Sequence, residues 1–193
     1  MNEQDKPHLA STATAPAPAP GAIPATSTIG KAPYRTWTPE PVPPVSDVAL
    51  PAVVQGLAAI VAAEGPLHAG RAYQLYVQAS GGHRVGREIR RILDGAVDEA
   101  VRQGAVDRVQ DAYTRTSEAT LFLPGAPSVQ VRERGPRSLS EIPRGEVRAV
   151  LDRLDPGMSP AQLKRAVLHE WGFGRLTGPA ELYLDECLRY AAR

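Results

Sequence analysis

Between positions 85 and 103, apolar residues recur at spacings of three and four. Val85, Ile89, Ile92, Leu93, Ala96 and Ala100 share one helical face, and Arg87, Arg91, Asp94, Asp98 and Arg102 fall on the other. The spacing predicts a long amphipathic helix from Val85 to Gln103. Ahead of it, Gly81-Gly82-His83-Arg84 reads as a tight turn. Ala69 to Ala79 reads as a shorter helix with Tyr73, Leu75, Tyr76 and Val77 on its apolar face and His68 at its N-cap. The pattern is a helix-turn-helix whose second helix begins with arginines. Further upstream, Val53, Val54, Leu57, Ile60 and Val61 form the stripe of a first helix. It begins at Ser46 or Asp47, with Pro51 in its first turn and Gly65-Pro66 as its stop.

Beyond Gly104, Ala105 to Gln110 and Thr120 to Leu123 read as two short strands, the second ended by Pro124-Gly125. Tyr113, Arg115 and Glu118 lie between them. Three helices followed by a hairpin is the order of a winged helix, and the hairpin loop would be its wing. Ala126 to Ser138 reads as a loop carrying Arg132, Arg134 and Arg137. Ile142-Pro143 opens another helix with Val147, Val150, Leu151 and Leu154 as its stripe, stopped by Asp155-Pro156-Gly157. Ser159-Pro160-Ala161-Gln162 combines an N-cap serine, a first-turn proline and a capping-box glutamine. Leu163, Val167 and Leu168 follow, then the turn Gly172-Phe173-Gly174-Arg175. Leu182, Leu184, Cys187, Leu188 and Tyr190 mark a terminal helix.

The two halves are alike at a shift of 91 residues. His68 pairs with Ser159, Tyr76 with Val167, Gly81 with Gly172, Arg84 with Arg175, Leu93 with Leu184 and Ala96 with Cys187. The predicted fold is mainly α: tandem winged-helix-like units, the first with a small β-hairpin wing, behind a disordered tail rich in Pro and Ala. The units span residues 46–125 and 138–193, and residues 1–45 form the tail and linker. Met1 to Thr28, with its Ala-Pro repeats, has no apolar period to bury. Tyr34 and Trp37 stand out from this linker. They read as an extended strap docked on a folded surface, in preference to a peptide motif for another protein.

Composition narrows the chemistry. The net charge is +1, so any contact with nucleic acid rests on local patches. One cysteine excludes an internal disulfide framework and fits a cytoplasmic protein. No run is long and apolar enough for a membrane span. No phosphate-cradling glycine loop is present, and the histidines lack metal-ligand spacing, so neither a cofactor nor a metal is expected. His169-Glu170 reads as an exposed helical pair, and Cys187 as a core residue. No reaction is indicated, and the chain reads as a non-enzyme. The remaining candidates are arginines. Arg84, Arg87, Arg90 and Arg91 cluster near the start of the long helix, the end that recognition helices present to DNA. Arg108 and Arg115 would let the wing reach phosphates. Asp98 and Arg102 read as a pair on a solvated face.

Glu64-Gly65-Pro66-Leu67-His68, the turn Gly81 to Gly86, Glu141-Ile142-Pro143 and Gly172 to Gly178 together resemble a family of uncharacterised winged-helix-like domains. That family, a domain of unknown function, lies at the C-terminus of large bacterial helicase- and nuclease-related proteins. The resemblance runs from about Tyr34 onward and implies an accessory role near DNA processing, with no catalytic residues to carry over. No helicase motor or nuclease precedes the resembling region in this chain. Two functions follow: a DNA-binding accessory module, or an interaction module docking a helicase or nuclease partner. Limited proteolysis should trim residues up to about Ala32 and leave a resistant core. Equally fast digestion beyond residue 46 would contradict the domain reading.

Overall fold

The computed structural model describes residues 30–46, 49–110 and 115–191; the tail up to Thr28, Asp47 and Tyr113 lie outside them. Helix α1 (Leu50–Glu64) carries Pro51 in its first turn and ends at Gly65. Its N-cap is Ala49, with no side-chain cap, where Ser46 or Asp47 had been expected. A helix of this length is marginal alone. Burial of Val53, Val54, Leu57, Ile60 and Val61 holds it in place, each contributing roughly 1.5–3 kcal/mol relative to exposure.

Strand β1 (Leu67–His68) comes next and leads straight into α2 (Ala69–Ala79). Helix α3 (Arg87–Arg102), β2 (Asp107–Val109) and β3 (Thr120–Phe122) complete the first half. The strands form one antiparallel sheet in the order β1-β3-β2. Leu67 faces Leu121 across one ladder, and Arg108 faces Leu121 across the other. The two-residue strand β1 was not anticipated: Leu67-His68 has no alternation to detect, and only its pairing to β3 makes it a strand. The segment before β3 folds inward as a 3₁₀ turn (Thr116–Glu118) with Ser117 buried. Leu67, Leu121 and Val106 close the first core against α1, α2 and α3, and Trp37 and Val45 join it from the amino-terminal strap.

The second half has no sheet among its described residues. A 3₁₀ turn (Leu139–Glu141) precedes α4 (Arg144–Leu151), α5 (Pro160–Glu170) and α6 (Gly178–Ala191). Helix α4 stops at Leu151, four residues before the Asp-Pro-Gly stop read from the sequence. Ser159 and Gln162 form the expected capping box. Ile142, Val147, Val150, Val167, Trp171, Leu184 and Cys187 make a second core.

The register of 91 residues holds locally. Helices α2 and α5 begin and end 91 residues apart. The backbone bonds that close their turns also correspond: Gly82 N–H to Val77 O and Phe173 N–H to Leu168 O, both 2.8 Å. Gly81 and Gly172 both adopt positive φ, +80° and +68°, a conformation in which a Cβ is strained. At Gly82 the constraint is space, since a Cβ would meet Val77 Cγ1 at 2.8 Å.

His68 caps α2 through its neutral ring, Nδ1 accepting from the Gly70 N–H at 3.2 Å. Burial pushes its pKa down to about 4, and Arg144 adds to the shift while Glu141 opposes it. The unfolded-state value is about 6.5. The neutral ring therefore favours the folded state fully above about pH 6.5, and that contribution is lost as pH falls toward about 4, by on the order of 2–3 kcal/mol. His68→Asn keeps a capping acceptor and should flatten this part of the stability–pH curve in urea titrations. An unchanged slope would refute the assignment.

Candidate nucleic-acid interface and the buried charge network

Helix α3 buries only Leu93, Ala96, Val97 and Ala100, all beyond its first turn. At its amino-terminal end Val85 and Ile89 pack, partly buried, against the core, and the opposite side is exposed. Four arginines and one glutamate lie between positions 84 and 91, and the unsatisfied N–H groups of the helix start add positive potential there. Arg84, Arg87 and Arg115 are exposed, and none has a partner among the described residues. Arg91 is exposed but tied to Glu88 at 2.6 Å, with both side chains about 70% open (72% and 69%). Arg90 is half-buried and reaches Ser117 Oγ at 3.4 Å, fastening the 3₁₀ turn to α3. Arg108 is bound to Asp98 of α3. Asp98 therefore does not pair with Arg102, which takes Glu99 instead. The structure thus brings Arg84, Arg87 and Arg91 to one end of α3 and commits Arg90 and Arg108 to internal contacts.

The strongest electrostatic feature lies elsewhere. Glu64, at the end of α1, is fully buried. It accepts from Arg71 Nε at 2.6 Å, Tyr34 Oη at 2.5 Å and the Trp37 N–H at 3.0 Å. Burial alone would raise its pKa; the bonds from Arg71, Tyr34 and Trp37 outweigh that and hold it below the usual carboxylate range. Arg71 extends the cluster to Glu141 at 3.3 Å. A second cluster centres on Glu146, also fully buried, with Arg132 at 2.7 Å and Arg137 at 2.9 Å. Arg132 also donates to Glu64 O at 2.6 Å, and to the carbonyls of Gly65 and Pro66. It thereby satisfies the orphan carbonyls at the end of α1. The Tyr34 ring joins the clusters, with the Arg132 and Arg137 guanidiniums 5.0 and 4.5 Å from its centroid.

The strap expected from Tyr34 and Trp37 is therefore docked, and it starts earlier. Lys31 pairs with Glu170 at 3.1 Å, and Ala32 bridges Arg132 in parallel. Glu170 is accordingly an anchor for the strap and not an exposed partner of His169. Sequence reading missed Glu64, Arg71, Arg132, Arg137 and Glu146 as a group. The signal was present: Glu64 lies three residues after Val61 and Glu146 four before Val150, both on apolar stripes.

Among the described residues, no group of His, Cys, Asp or Glu side chains could hold a metal ion. Nor is any described helix long and apolar enough to cross a membrane. Cys187 is buried, and burial pushes its thiol pKa up to about 12, which leaves it a poor nucleophile. Asp185 and Glu186 diverge, to Lys164 and Arg144 respectively. No family model, curated protein or solved structure matches the chain.

Removing one partner of a buried ion pair leaves the other uncompensated, at a cost of about 3–5 kcal/mol. Glu146→Gln should cost that much by denaturant melting, because Arg132 and Arg137 both depend on it. The exposed Glu88→Gln should leave the melting midpoint where it is. Similar midpoints for the two variants would contradict the network's role.

Proposed function

We propose that the chain is a non-catalytic DNA-binding accessory module. Its first half is a winged helix, and its second half is a diverged copy of the same unit without the hairpin. The order α1-β1-α2-α3-β2-β3, with the sheet in the order β1-β3-β2, supports the first part. The shared 91-residue register of α2 and α5, with their positive-φ glycines, supports the second. The observation that carries the DNA reading is the exposed, arginine-bearing start of α3, where Arg84 and Arg87 have no carboxylate partner among the described residues.

In this reading Arg84, Arg87 and Arg91 contact phosphates, with Arg115 reaching the backbone from the hairpin loop. Arg90 and Arg108 position the loop and hairpin against α3. Contacts to phosphate fix orientation and carry little sequence information, so the module would bind with limited preference. The resemblance to domains at the end of helicase- and nuclease-related proteins suggests that it works beside such an enzyme in the cytoplasm.

Duplex DNA should bind with a dissociation constant of roughly 10⁻⁴ to 10⁻⁶ M and weaken steeply with salt. Replacing Arg84 and Arg87 by alanine should lower the log–log salt slope by up to about 2, since each phosphate contact contributes about 0.9. Arg108→Ala and Arg189→Ala should change it little. Absence of detectable binding in low-salt anisotropy titrations would reject the DNA reading.

A further inference from the structure

The two turns that correspond at a shift of 91 share an arginine, Arg84 and Arg175, and an apolar residue, Val85 and Leu176, but the helix faces after them differ in charge. Where the first half has Arg87, Arg90 and Arg91, the second has Gly178, Glu181 and Leu182. Where the first has Gly82 and Val85, the second has Phe173 and Leu176. Leu182 is 69% exposed and Leu176 38%, on a face where α3 carries charge. Beside them lies an open groove of about 300 Å³, with Leu139, Leu168, Phe173 and Tyr183 among its walls. That is the lower end of the range of ligand clefts, roughly 300–1,000 Å³.

The charged side chains that line this groove have one sign, with the Glu141 carboxylate set behind Ser138 and bonded to it at 2.7 Å. Arg134 and Arg175 line it, and no carboxylate does. The Arg134 guanidinium carbon sits over the Phe173 ring, 4.1 Å from its centroid, and its Nε donates to the Arg137 carbonyl at 3.2 Å. That contact fixes the guanidinium at the rim. Arg175 is exposed and has no partner among the described residues. Glu181, the nearest acidic position in the sequence of α6, is held away by Lys164 at 3.2 Å. An apolar floor between a held cation, Arg134, and an exposed one, Arg175, is complementary to an apolar side chain flanked by carboxylates. It is a poor match for duplex DNA, whose bases are stacked within the helix and whose phosphodiester backbone has nothing to place on Phe173 and Tyr183.

We propose that this groove docks a short acidic segment of another protein, seating an aliphatic or aromatic anchor against Phe173 and Tyr183 and its carboxylates on Arg134 and Arg175. The site does not depend on the DNA reading, because it uses none of the α3 arginines. It gives the two halves different tasks, one facing nucleic acid and the other a protein.

The test is selection of a random short-peptide display library on the full chain, followed by anisotropy titration of the enriched peptides. Enriched sequences should combine Asp or Glu with Leu, Ile or Phe. Two variants probe the groove without opening the core. Arg175→Glu reverses a rim charge. Thr177→Asp adds a carboxylate to the groove, while keeping an acceptor for the Ala180 N–H that Thr177 Oγ1 now caps at 3.4 Å. Each should weaken peptide binding by about tenfold or more, the scale of an interface hot spot. The Arg84/Arg87 double variant should bind the peptides as the parent does, so failure here and failure of DNA binding are separately visible. Three results would overturn the proposal: no enrichment, enrichment of basic or uncharged sequences, or binding indifferent to both groove variants. Sedimentation showing a dimer that Thr177→Asp abolishes would assign the groove to a second copy of this chain and overturn it as well.

Discussion

Two carboxylates cannot be taken out of water unless cations come with them, and much of this structure follows from that constraint. Glu64 and Glu146 are fully buried. Their arginines come from α2 and from the loop before α4, and their common aromatic neighbour, Tyr34, comes from the strap. The strap has one bridge pair and no regular structure, with Trp37 and Val45 set into the first core, and the loop around Arg132 sets Val131 into the second. Charge pairing with fixed geometry makes them part of the fold. Such pairs add little net stability over a well-packed apolar core. Their effect here is on arrangement: Arg132 reaches α1, β1's approach and α4 at once, which leaves one relative placement of the two halves.

Outside that network the halves run in parallel. A turn that needs a left-handed glycine, a short helix before it and a longer helix after it occur twice, 91 residues apart. The cores under them differ. The first is closed by a sheet and by Trp37, the second by Trp171, whose indole donates to Arg132 O at 2.9 Å. The outer faces differ more, arginine in one and leucine in the other. Packing constrains the inner side of each helix, and the outer side is free to specialise.

Helices were legible because their signals are local. The stripe of α1, the Ser159–Gln162 capping box and the glycines of both turns each act within a few residues, and each appears where periodicity and turn chemistry put it. Strand β1 was not legible, since two residues have no period and their identity as strand depends on β3, some fifty positions later. The ion pairs were legible least. Asp98 and Arg102 have the i, i+4 spacing of a helical pair, but the hairpin brings Arg108 to Asp98 instead. For Arg132 and Arg137, position in a polar loop suggested solvent, and only the approach of Glu146 and Tyr34 explains their burial. Of the six arginines first singled out, Arg84, Arg87, Arg91 and Arg115 are exposed, and Arg90 and Arg108 are half-buried and held by Ser117 and Asp98.

The parallel bridge between Ala32 and Arg132 joins positions 100 residues apart, and this bears on how the chain is made. On a ribosome, Lys31 and Ala32 emerge long before their partners Glu170 and Arg132. Until residues 132–146 have been synthesised, the carbonyls at the end of α1 lack the guanidinium that covers them, and Tyr34 lacks two of the three arginines around its ring. The first half is then a helical cluster with an unsealed edge. Synthesis of the second half supplies Arg132 and Arg137, and with them the contacts that close that edge.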